Sequence, residues 1–238
     1  EDEELETAVS WPYTIGASNV TFYAKWAANS YTVEYDANGG TGTTADSYHT
    51  YDIESKLTEN GFEKIGHTFA GWATQAEGAV VYADEANVKN LTAEDDATVT
   101  LYAIWSVNEY TISFDSDGGS EVEDISQDYG TAITPPAAPT KEGYTFRGWD
   151  PALPETMPAE DLELTAQWQI NQYTVSFDSK GGSEVADITE DYGTEISAPT
   201  APTKEGHTFD VWYADEAYQT AVTWPYTLGA SDVTFYAK

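Results

Sequence analysis

Apolar and polar side chains alternate in short runs that recur along the chain. In the run that begins at Tyr110, the side chains of Tyr110, Ile112 and Phe114 fall on one face, with hydroxyl residues between them. A second run, at residues 162–168, alternates in the same way and ends in a tryptophan. Period-two alternation rich in aromatic and β-branched residues is typical of half-buried strands. The sequence therefore predicts a β-strand at each of these places.

The residues between the predicted strands are those of turns. Two glycines follow the first predicted strand each time the pattern occurs, in Asn38-Gly39-Gly40, Asp117-Gly118-Gly119 and Lys180-Gly181-Gly182. Paired glycines accept the positive φ angles of a tight hairpin. Prolines at 135, 136 and 139 exclude a long helix but leave room for one short helical turn. A third strand is predicted at residues 144–149. Each repeat should thus hold about four strands and at most one short helix.

The same pattern occurs several times in the chain. Residues 7–25 return as residues 220–238 with three differences, Ser10/Thr223, Ile15/Leu228 and Asn19/Asp232. We therefore divide the chain into residues 1–26, the C-terminal part of a truncated repeat (segment A), and three repeats at 31–105 (repeat B), 110–168 (repeat C) and 173–238 (repeat D). Four residues join each closing Trp to the next opening Tyr and span only about 14 Å. Neighbouring repeats should nearly touch, and we expect a stiff or semi-stiff, elongated array.

The composition limits the partners that such an array can have. The chain holds 42 acidic and 9 basic residues, a formal charge of −33, which disfavours nucleic acid and anionic membranes. Its 8 Trp, 17 Tyr and 8 Phe provide enough apolar mass to fold. It has no cysteine and no apolar run long enough to span a membrane. We expect a monomer, apart from edge pairing at the truncated repeats. Whether divalent cations bind the acidic surface is left open.

No catalytic, cofactor-binding or metal-binding residues are predicted. An array of near-copies argues against an enzyme, because one active site would not need copying. His67 and His207 occupy equivalent positions where repeat C has Tyr144, which disfavours a general base, and His49 has no counterpart. The run 115–118, Asp-Ser-Asp-Gly, imitates a calcium loop, but its copy in repeat D has Lys180 at a ligand position, which favours a turn.

Two further motifs are given structural interpretations. Residues 153–157, Leu-Pro-Glu-Thr-Met, imitate a cell-wall sorting signal, but we interpret them as a loop that leads to the last strand of repeat C. The tryptophans could stack on sugars, yet their fixed places in the repeat favour a core role. The predicted structural core consists of Trp72, Trp105, Trp149, Trp168, Trp212, Phe114 and Phe177.

The repeats differ most in one loop. The stretch between Trp72 and Val99 is much longer than the equivalent stretch in repeat C. Length variation on a fixed scaffold indicates a surface loop, where recognition most often resides. Residues 75–96 are therefore a candidate contact surface. Its candidate contact residues are Gln75, Glu77, Tyr82, Asp84 and Glu85.

These residues together resemble a known family. Repeat C reads YTISFDSDGG, then YGTAITPPAAPTKEGYTFRGW, then MPAEDLELTAQW, and repeats B and D carry variants of the same order. This pattern resembles the Listeria-Bacteroides repeat, the internalin B-type repeat of bacterial cell-surface proteins. The resemblance implies a mainly β (α+β) fold of tandem small β-grasp-like (ubiquitin-like) repeats, each with one short helix and with parallel first and last strands. Val211 departs from the pattern, where a glycine precedes the tryptophan.

The resemblance also implies a role. It suggests a non-catalytic, extracellular region on the bacterial cell surface that serves as a stalk or spacer, or as an adhesin. The alternative is a ligand-binding module whose inter-strand loops grip a host-cell protein or glycan.

Overall fold

The computed structural model describes residues 8–238, and all regular elements in this part are β-strands. The chain forms two compact units, Glu1–Asn108 and Glu109–Lys238. The first unit contains segment A and repeat B, and the second contains repeats C and D. Within residues 8–238 no helix is long and apolar enough to cross a membrane.

Repeat B is built on a four-stranded sheet. Its strands are β1 (Ser30–Asp36), β2 (Thr41–Gly42), β3 (Ser47–Thr50), β4 (Ser55–Lys56), β5 (Phe62–Glu63), β6 (His67–Ala73), β7 (Asn87–Val88) and β8 (Ala97–Val107). The sheet order is β3-β1-β8-β6, in which β1 and β8 are parallel and both outer pairs are antiparallel. β2 pairs with β5 and β4 pairs with β7 in two separate two-stranded ladders, and Phe62 of β5 and Val88 of β7 are buried in the core. The predicted parallel pairing of the first and last strands is confirmed.

Repeat C repeats this arrangement. Its strands are β9 (Glu109–Asp115), β10 (Ile125–Asp128), β11 (Tyr144–Asp150) and β12 (Leu162–Ile170). They form a sheet in the order β10-β9-β12-β11, again with the central pair parallel. The register of β11 shifts between Phe146 and Gly148, as that of β6 shifts between Phe69 and Gly71. Gly71 and Gly148 have φ of 141° and 127°, so the glycine of each Gly-Trp pair makes this bulge possible.

Repeat D has the same sheet with a shorter third strand. Its strands are β13 (Gln172–Asp178), β14 (Ile188–Asp191), β15 (Glu195–Ile196), β16 (Trp212–Tyr213), β17 (Tyr226–Thr227) and β18 (Val233–Ala237). The order is β14-β13-β18-β16, and β15 pairs with β17 beside it. Val211 stands where the other repeats have the bulge glycine, and β16 starts only after it.

The short helix that the resemblance implies is not present in residues 8–238. In repeat C the segment after β10 is extended: Ser120 N–H donates to the Thr140 carbonyl, and Thr140 N–H donates to the Ser120 hydroxyl. Prolines that lack an N–H and fix φ explain why no helical turn forms here. The mainly β prediction is confirmed, and the helix expectation is corrected.

Each repeat has a core of its own. Val33, Trp72 and Leu101 are fully buried in repeat B, and Ile112 and Leu164 in repeat C. The core of repeat D is centred on fully buried Val175, Leu228 and Phe235. The alternation of the central strands predicts the inward side chains of Val33, Leu101, Ile112, Leu164, Val175 and Phe235. Trp72 comes from the outer strand β6, and Leu228 follows β17.

Segment A contains no strand in its described part, residues 8–26. The rings of Trp11, Tyr13 and Phe22 contact one another at centroid distances of 5.0–6.5 Å. They remain accessible, and Trp11 and Phe22 are 73% and 42% exposed. The small cluster is therefore not a folded core.

Candidate functional site

In each repeat the chain enters through one of the two parallel central strands and leaves through the other. In repeat B, β1 and β8 pair in parallel over six residue pairs, from Tyr31 with Ala97 to Asp36 with Tyr102. Repeats C and D pair their central strands over four residue pairs each. Because these strands run the same way, the chain enters a repeat at one end of its sheet and leaves at the other. A pull on the two ends therefore loads the backbone hydrogen bonds of the central pair in shear.

The aromatic residues predicted to form the core lie on or beside these strands. Trp72 and Trp212 are buried, at 0% and 2% exposure. The other five are half-buried. Trp105 packs against the core of repeat B, and Phe177 packs against the core of repeat D. In repeat C, Phe114 and Trp149 pack against the core, and Trp168 contacts Phe146. The equivalent pairs Phe114–Trp149 and Phe177–Trp212 have ring centroids 4.8 and 5.1 Å apart. Within the described repeats these rings form internal contacts and not a continuous exposed face.

The Asp-Ser-Asp-Gly motif of repeat C is a tight turn. Asp115 Oδ1 accepts the N–H of Asp117 at 2.9 Å, and the N–H of Gly119 donates to the Ser116 carbonyl. Asp117 and Gly118 both have positive φ, 46° and 79°, as in a type I′ turn. The same geometry recurs at Asn38-Gly39 and Lys180-Gly181. The antiparallel neighbour of the first strand starts several residues after the turn, so the residues on either side of the turn do not pair with each other. The expectation that the paired glycines form a tight hairpin is therefore wrong.

The second glycine of the turn has a separate role in repeats B and C, which sequence analysis missed. A Cβ on Gly119 would lie 2.5 Å from Cζ2 of Trp168, and one on Gly40 would lie 2.8 Å from Cζ2 of Trp105. The indole Nε1 of Trp168 donates to the Ser116 carbonyl, and that of Trp105 donates to the Ala37 carbonyl, each at 3.0 Å. The closing tryptophan therefore locks the last strand onto the first turn of its own repeat.

A lysine also contacts this turn. Lys141 Nζ donates to the carbonyl of Asp117, and Lys204 Nζ donates to that of Lys180, at 2.6 and 2.8 Å. Lys64 lies at the equivalent place, with Nζ 3.5 Å from a Cβ built on Gly39. Three of the nine basic residues thus occupy one repeated position, a signal that an alignment of the repeats could have shown.

In repeat D the turn holds an ion-pair cluster where a calcium loop would place ligands. Lys180 Nζ lies 3.1 Å from Asp178 Oδ2 and 2.6 Å from Glu216 Oε1. The hydrogen bond to Glu216, followed by that to Asp178, raises the pKa of Lys180. The backbone and side-chain hydrogen bonds from Lys180 lower the pKa of Asp178. Residues 8–238 bring no three His, Asp or Glu side chains together in a way that could hold a metal ion.

The candidate contact loop of repeat B presents acidic and amide groups to solvent. Gln75, Glu77, Asp84 and Glu85 are all exposed. Glu85 Oε1 lies 3.3 Å from Lys56 Nζ. The loop is tied to the sheet by Asn38, whose Nδ2 donates to the carbonyls of Ala76 and Ala103 at 2.7 and 2.9 Å. The exposed part is therefore held on a fixed base.

Tyr82 and Asp84, two of the five candidate contact residues, also have contacts with the core or the backbone. Tyr82 is half-buried against the core, and its backbone pairs with that of Trp72. Asp84 Oδ1 accepts the N–H of Asn60 at 2.9 Å and that of Glu85 at 3.1 Å. Gln75 and Glu77 therefore have the side chains most available for a ligand, followed by Glu85, whose exposed carboxylate pairs with Lys56.

His49 lies in a buried polar network that the sequence did not indicate. The side chain is 3% exposed and stacks on Tyr31, with ring centroids 5.3 Å apart. Its Nε2 and Nδ1 are 2.8 and 2.6 Å from the hydroxyls of Ser47 and Ser55. Burial lowers the pKa of His49. Tyr35 extends the network, because its hydroxyl contacts Ser47 Oγ at 2.8 Å.

The segment that imitates a sorting signal is part of the fold of repeat C. Met157 is 1% exposed in the core, and its N–H donates to the Thr131 carbonyl. Its own carbonyl accepts the N–H of Gly130 at 2.9 Å. The segment does lead to the last strand, as expected, but sequence analysis missed the burial of Met157 because the residue lies outside any alternating run.

Repeats C and D contact each other within the second unit. Asn171 lies between their central strands, and its N–H donates to the Gly143 carbonyl at 2.8 Å, while its own carbonyl accepts the N–H of Tyr192 at 2.9 Å. Thr145 Oγ1 donates to Asn171 Oδ1 at 2.6 Å. The rings of Tyr144 and Tyr192 meet edge to face at 6.1 Å. One asparagine thus links the loop of one repeat to the edge of the next.

Comparisons with known proteins agree with this repeated architecture. The profile of the Listeria-Bacteroides repeat domain matches residues 31–104, 110–167 and 173–238. A protein of Evansella cellulosilytica named as a Gly-rich membrane protein is 39% identical over 237 residues, which cover 95% of this chain and 27% of that protein. Internalin H of Listeria monocytogenes is 37% identical over 162 residues, 63% of this chain and 28% of that protein. The chain thus spans less than a third of the length of either relative.

Among solved structures, tandem SHIRT domains 3–4 of a cell surface protein align with 54% of this chain and 95% of theirs, at 20% identity and a TM-score of 0.22. The profile matches cover all three repeats and far more than half of the residues. The resemblance seen in the sequence is confirmed, and the chain belongs to the Listeria-Bacteroides repeat domain family.

Proposed function

We propose that this chain is a non-catalytic, extracellular repeat region on the surface of a bacterium, where it acts as a load-bearing stalk or spacer. The observation that carries the proposal is the parallel pairing of β1 with β8, β9 with β12 and β13 with β18. In each repeat these two strands are the ones through which the chain enters and leaves the sheet, so a force on the chain ends acts on this pair.

Loading in shear favours mechanical resistance because several hydrogen bonds must break together. In repeat B the six paired residues of the central strands share the load, and the antiparallel neighbours β3 and β6 hold both strands in the sheet. Trp105 adds a cross-brace, since its indole ties the end of β8 to the turn that follows β1. This arrangement supports a role in transmitting force.

The junction between repeats C and D supports the same role. The short linker is fixed by backbone bonds from Asn171 to Gly143 and from Tyr192 to Asn171. A linker held in this way limits bending between the two repeats, which a spacer requires. The charge of −33 would keep a crowded, exposed array soluble. The names of the relatives, a membrane protein and an internalin, agree with a surface location.

Single-molecule stretching of the whole chain by its ends tests this proposal. We expect separate unfolding events for repeats B, C and D, each releasing the contour length of one repeat. A smooth extension curve without such events would contradict a load-bearing role.

The second candidate function is adhesion through the loop of repeat B. It is favoured by the exposed side chains of Gln75, Glu77 and Glu85 on a loop whose base is fixed by Asn38. A host-cell protein or a glycan with cationic or hydrogen-bonding groups would suit this acidic surface. We do not expect nucleic acid or membrane insertion as partners of a chain with this charge.

A binding screen separates the two candidates. The chain is applied to a glycan array and to a host-cell protein extract, beside a variant with Gln75→Ser, Glu77→Gln and Glu85→Gln. Tyr82 and Asp84 stay unchanged because they support the fold. The matched control, Glu121→Gln with Glu123→Gln, changes the charge equally at exposed positions of repeat C. Binding lost in the loop variant and kept in the control supports adhesion; equal binding by all three contradicts it.

A further inference from the structure

In repeats B and D, a short covering segment from the loop that follows the third strand pairs with the outer edge of that strand. In repeat B this segment is residues 80–82: Trp72 N–H donates to the Tyr82 carbonyl at 2.8 Å, and the Trp72 carbonyl accepts the N–H groups of Val81 and Tyr82. In repeat D it is residues 220–222, and the Trp212 carbonyl likewise accepts the N–H of Val222 at 2.8 Å. The outer edges of β6 and β16 are thus paired at their tryptophans.

Repeat C has a shorter loop at this place. The loop between the third-strand tryptophan and the next buried core residue is residues 73–87 in repeat B and 213–227 in repeat D, but only 150–156 in repeat C. Leu153 packs against the core through its side chain. Within residues 8–238, however, no backbone bond joins residues 151–156 to β11. The outer edge of β11 is therefore not covered by its own loop.

The register of β11 places free backbone groups on this edge. Trp72 of β6 pairs with Ala103 of β8. Trp149 of β11 pairs with Ala166 of β12 at the same place after the bulge. Backbone groups of an antiparallel strand point alternately toward one neighbour and away from it. Since the N–H and carbonyl of Trp72 point away from β8 to the covering segment, those of Trp149 point away from β12. Such an edge is a template for another strand.

The side chains at this edge are also uncovered in repeat C. A Cβ built on Gly71 would lie 2.6 Å from the carbonyl oxygen of Tyr82 in the covering segment, whereas no neighbouring atom lies within 4 Å of a Cβ built on Gly148. Trp72 is 0% exposed and the equivalent tryptophan of repeat D is 2% exposed, but Trp149 is only half-buried. Repeat C thus has open space and a partly exposed ring where a strand lies in the other two repeats.

The covering segments of repeats B and D show what kind of chain fits this edge. They are Val-Val-Tyr at 80–82 and Thr-Ala-Val at 220–222. Tyr82 and Val222, the residues that bond to the tryptophan carbonyl, also pack their side chains against the core. β-Branched and aromatic residues are those that favour a strand. An extended peptide with one such side chain next to Trp149 would therefore match the edge of β11.

The charge around the edge narrows the choice further. Asp150 and Glu155 are exposed in and beside the short loop, against one exposed basic residue, Arg147. The whole chain has a formal charge of −33. This charge repels an acidic peptide and attracts a basic one.

We propose that the outer edge of β11 binds an extended, neutral or basic peptide segment of a partner protein, with a β-branched or aromatic residue beside Trp149. A carbonyl of the peptide accepts the Trp149 N–H, and an N–H of the peptide donates to the Trp149 carbonyl. The backbone bonds supply affinity, and the apolar side chain supplies selectivity. This site goes beyond the spacer role and is separate from the loop of repeat B. Because β11 is not one of the two central strands, a bound peptide leaves the load-bearing pair in place.

The first experiment adds a synthetic peptide to the full, ¹⁵N-labelled chain and follows backbone amides by NMR. The peptide has the sequence of residues 78–84 with one lysine added at each end. We expect the Trp149 amide signal to shift progressively and its hydrogen exchange to slow, while the Trp72 amide, already bonded to Tyr82, stays unchanged. The matched control peptide carries a methyl group on the nitrogen at the position of Tyr82. It should bind roughly 10-fold more weakly, the effect of one lost hydrogen bond.

The second experiment covers the edge from within the chain. Residues 150–156 are replaced by residues 73–87, so that repeat C receives the loop of repeat B. The exchanged loop should cover β11 and abolish peptide binding. The matched control replaces residues 213–227 of repeat D by the same residues 73–87, which leaves β11 open, and it should bind the peptide as the original chain does. If the first exchange prevents folding, the two peptides applied to the original chain still decide the question.

The proposal is overturned if the Trp149 amide does not respond to about 1 mM peptide, a concentration that detects weak binding. Equal binding of the methylated peptide, or an equal response of Trp72, would also overturn it. Dimers that form without peptide and protect the Trp149 amide would show that the edge binds a second copy of the chain instead. None of these outcomes affects the stretching test of the spacer role, which measures the central strands.

Discussion

The ring of Tyr192 in repeat D lies where a side chain on Gly143 of repeat C would have to be. Gly143 also has φ of 78° and accepts the N–H of Asn171 through its carbonyl. One glycine therefore allows both the turn within its own repeat and the close approach of the next repeat.

Gly143→Ala should weaken the contact between repeats C and D. The strained φ costs about 1–2 kcal/mol, and displacement of the Tyr192 ring should add about 1–3 kcal/mol. Gly206→Ala is the matched control, because Gly206 has φ of 76° and no atom within 4 Å of its Cβ position. Denaturant unfolding should show a larger loss for Gly143→Ala. Equal losses would mean that Tyr192 moves aside freely.

Gly119→Ala should displace the indole of Trp168 and destabilise repeat C. The added methyl would lie 2.5 Å from Cζ2 of Trp168, and overpacking of this kind costs about 1–3 kcal/mol. Gly182→Ala in repeat D is the control, since its nearest neighbours are carbonyl oxygens at 3.2 Å and no indole lies above it. Thermal unfolding and the emission wavelength of the tryptophans measure the difference. If both variants lose the same stability, the indole contact is not what requires glycine.

The stability of repeat B should fall as the pH falls below about 6.5, because burial lowers the pKa of His49 from 6.5. Below that pH the unfolded chain binds a proton at His49 that the folded chain does not, so protonation favours unfolding. His49→Gln keeps hydrogen-bonding groups but does not titrate. It should reduce the slope of stability against pH in this range, as measured by urea unfolding.

A second pH effect should occur in a separate range. The pKa of Asp178 is lowered by Lys180, and that of Asp215 by the N–H groups of Gln219 and Thr220. Their contribution is present above the ordinary value of 3.8 and is lost as the pH falls through their lower folded pKa values. If His49→Gln leaves the change in stability between pH 4 and 6.5 as it is in the original chain, this change does not come from protonation of His49, and the prediction for His49 is contradicted.

Local sequence pattern accounts for much of the sheet. The alternation around Ile112 and Phe114 predicts which face of β9 is buried, and the repeated order of strands identifies the family whose central strands are parallel. The sequence pattern allows at most one short helix in each repeat, and the helix that the resemblance implies is not present in residues 8–238. In repeat C the proline-containing segment is instead extended and bonded to Ser120.

Contacts between distant residues could not be predicted in this way. Met157 is buried through backbone bonds to Gly130 and Thr131, which no local periodicity shows. His49 has no copy in the other repeats, so comparison of the copies could not indicate its network with Ser47 and Ser55. The role of Gly143 depends on a residue of the next repeat. The contact role of the loop that contains Glu77 and Glu85 stays a prediction.

The central claim, that the parallel strands β1 and β8 carry force in shear, is tested most directly by pulling repeat B in two directions. Cysteines at Ala28 and Ser106 attach the handles at opposite ends of the pair, whereas cysteines at Ala28 and Glu94 attach them at the same end; all three positions are exposed. The first geometry loads all six residue pairs together, and the second opens them one after another. We predict a clearly higher unfolding force for the first. Equal forces in both directions would contradict the account.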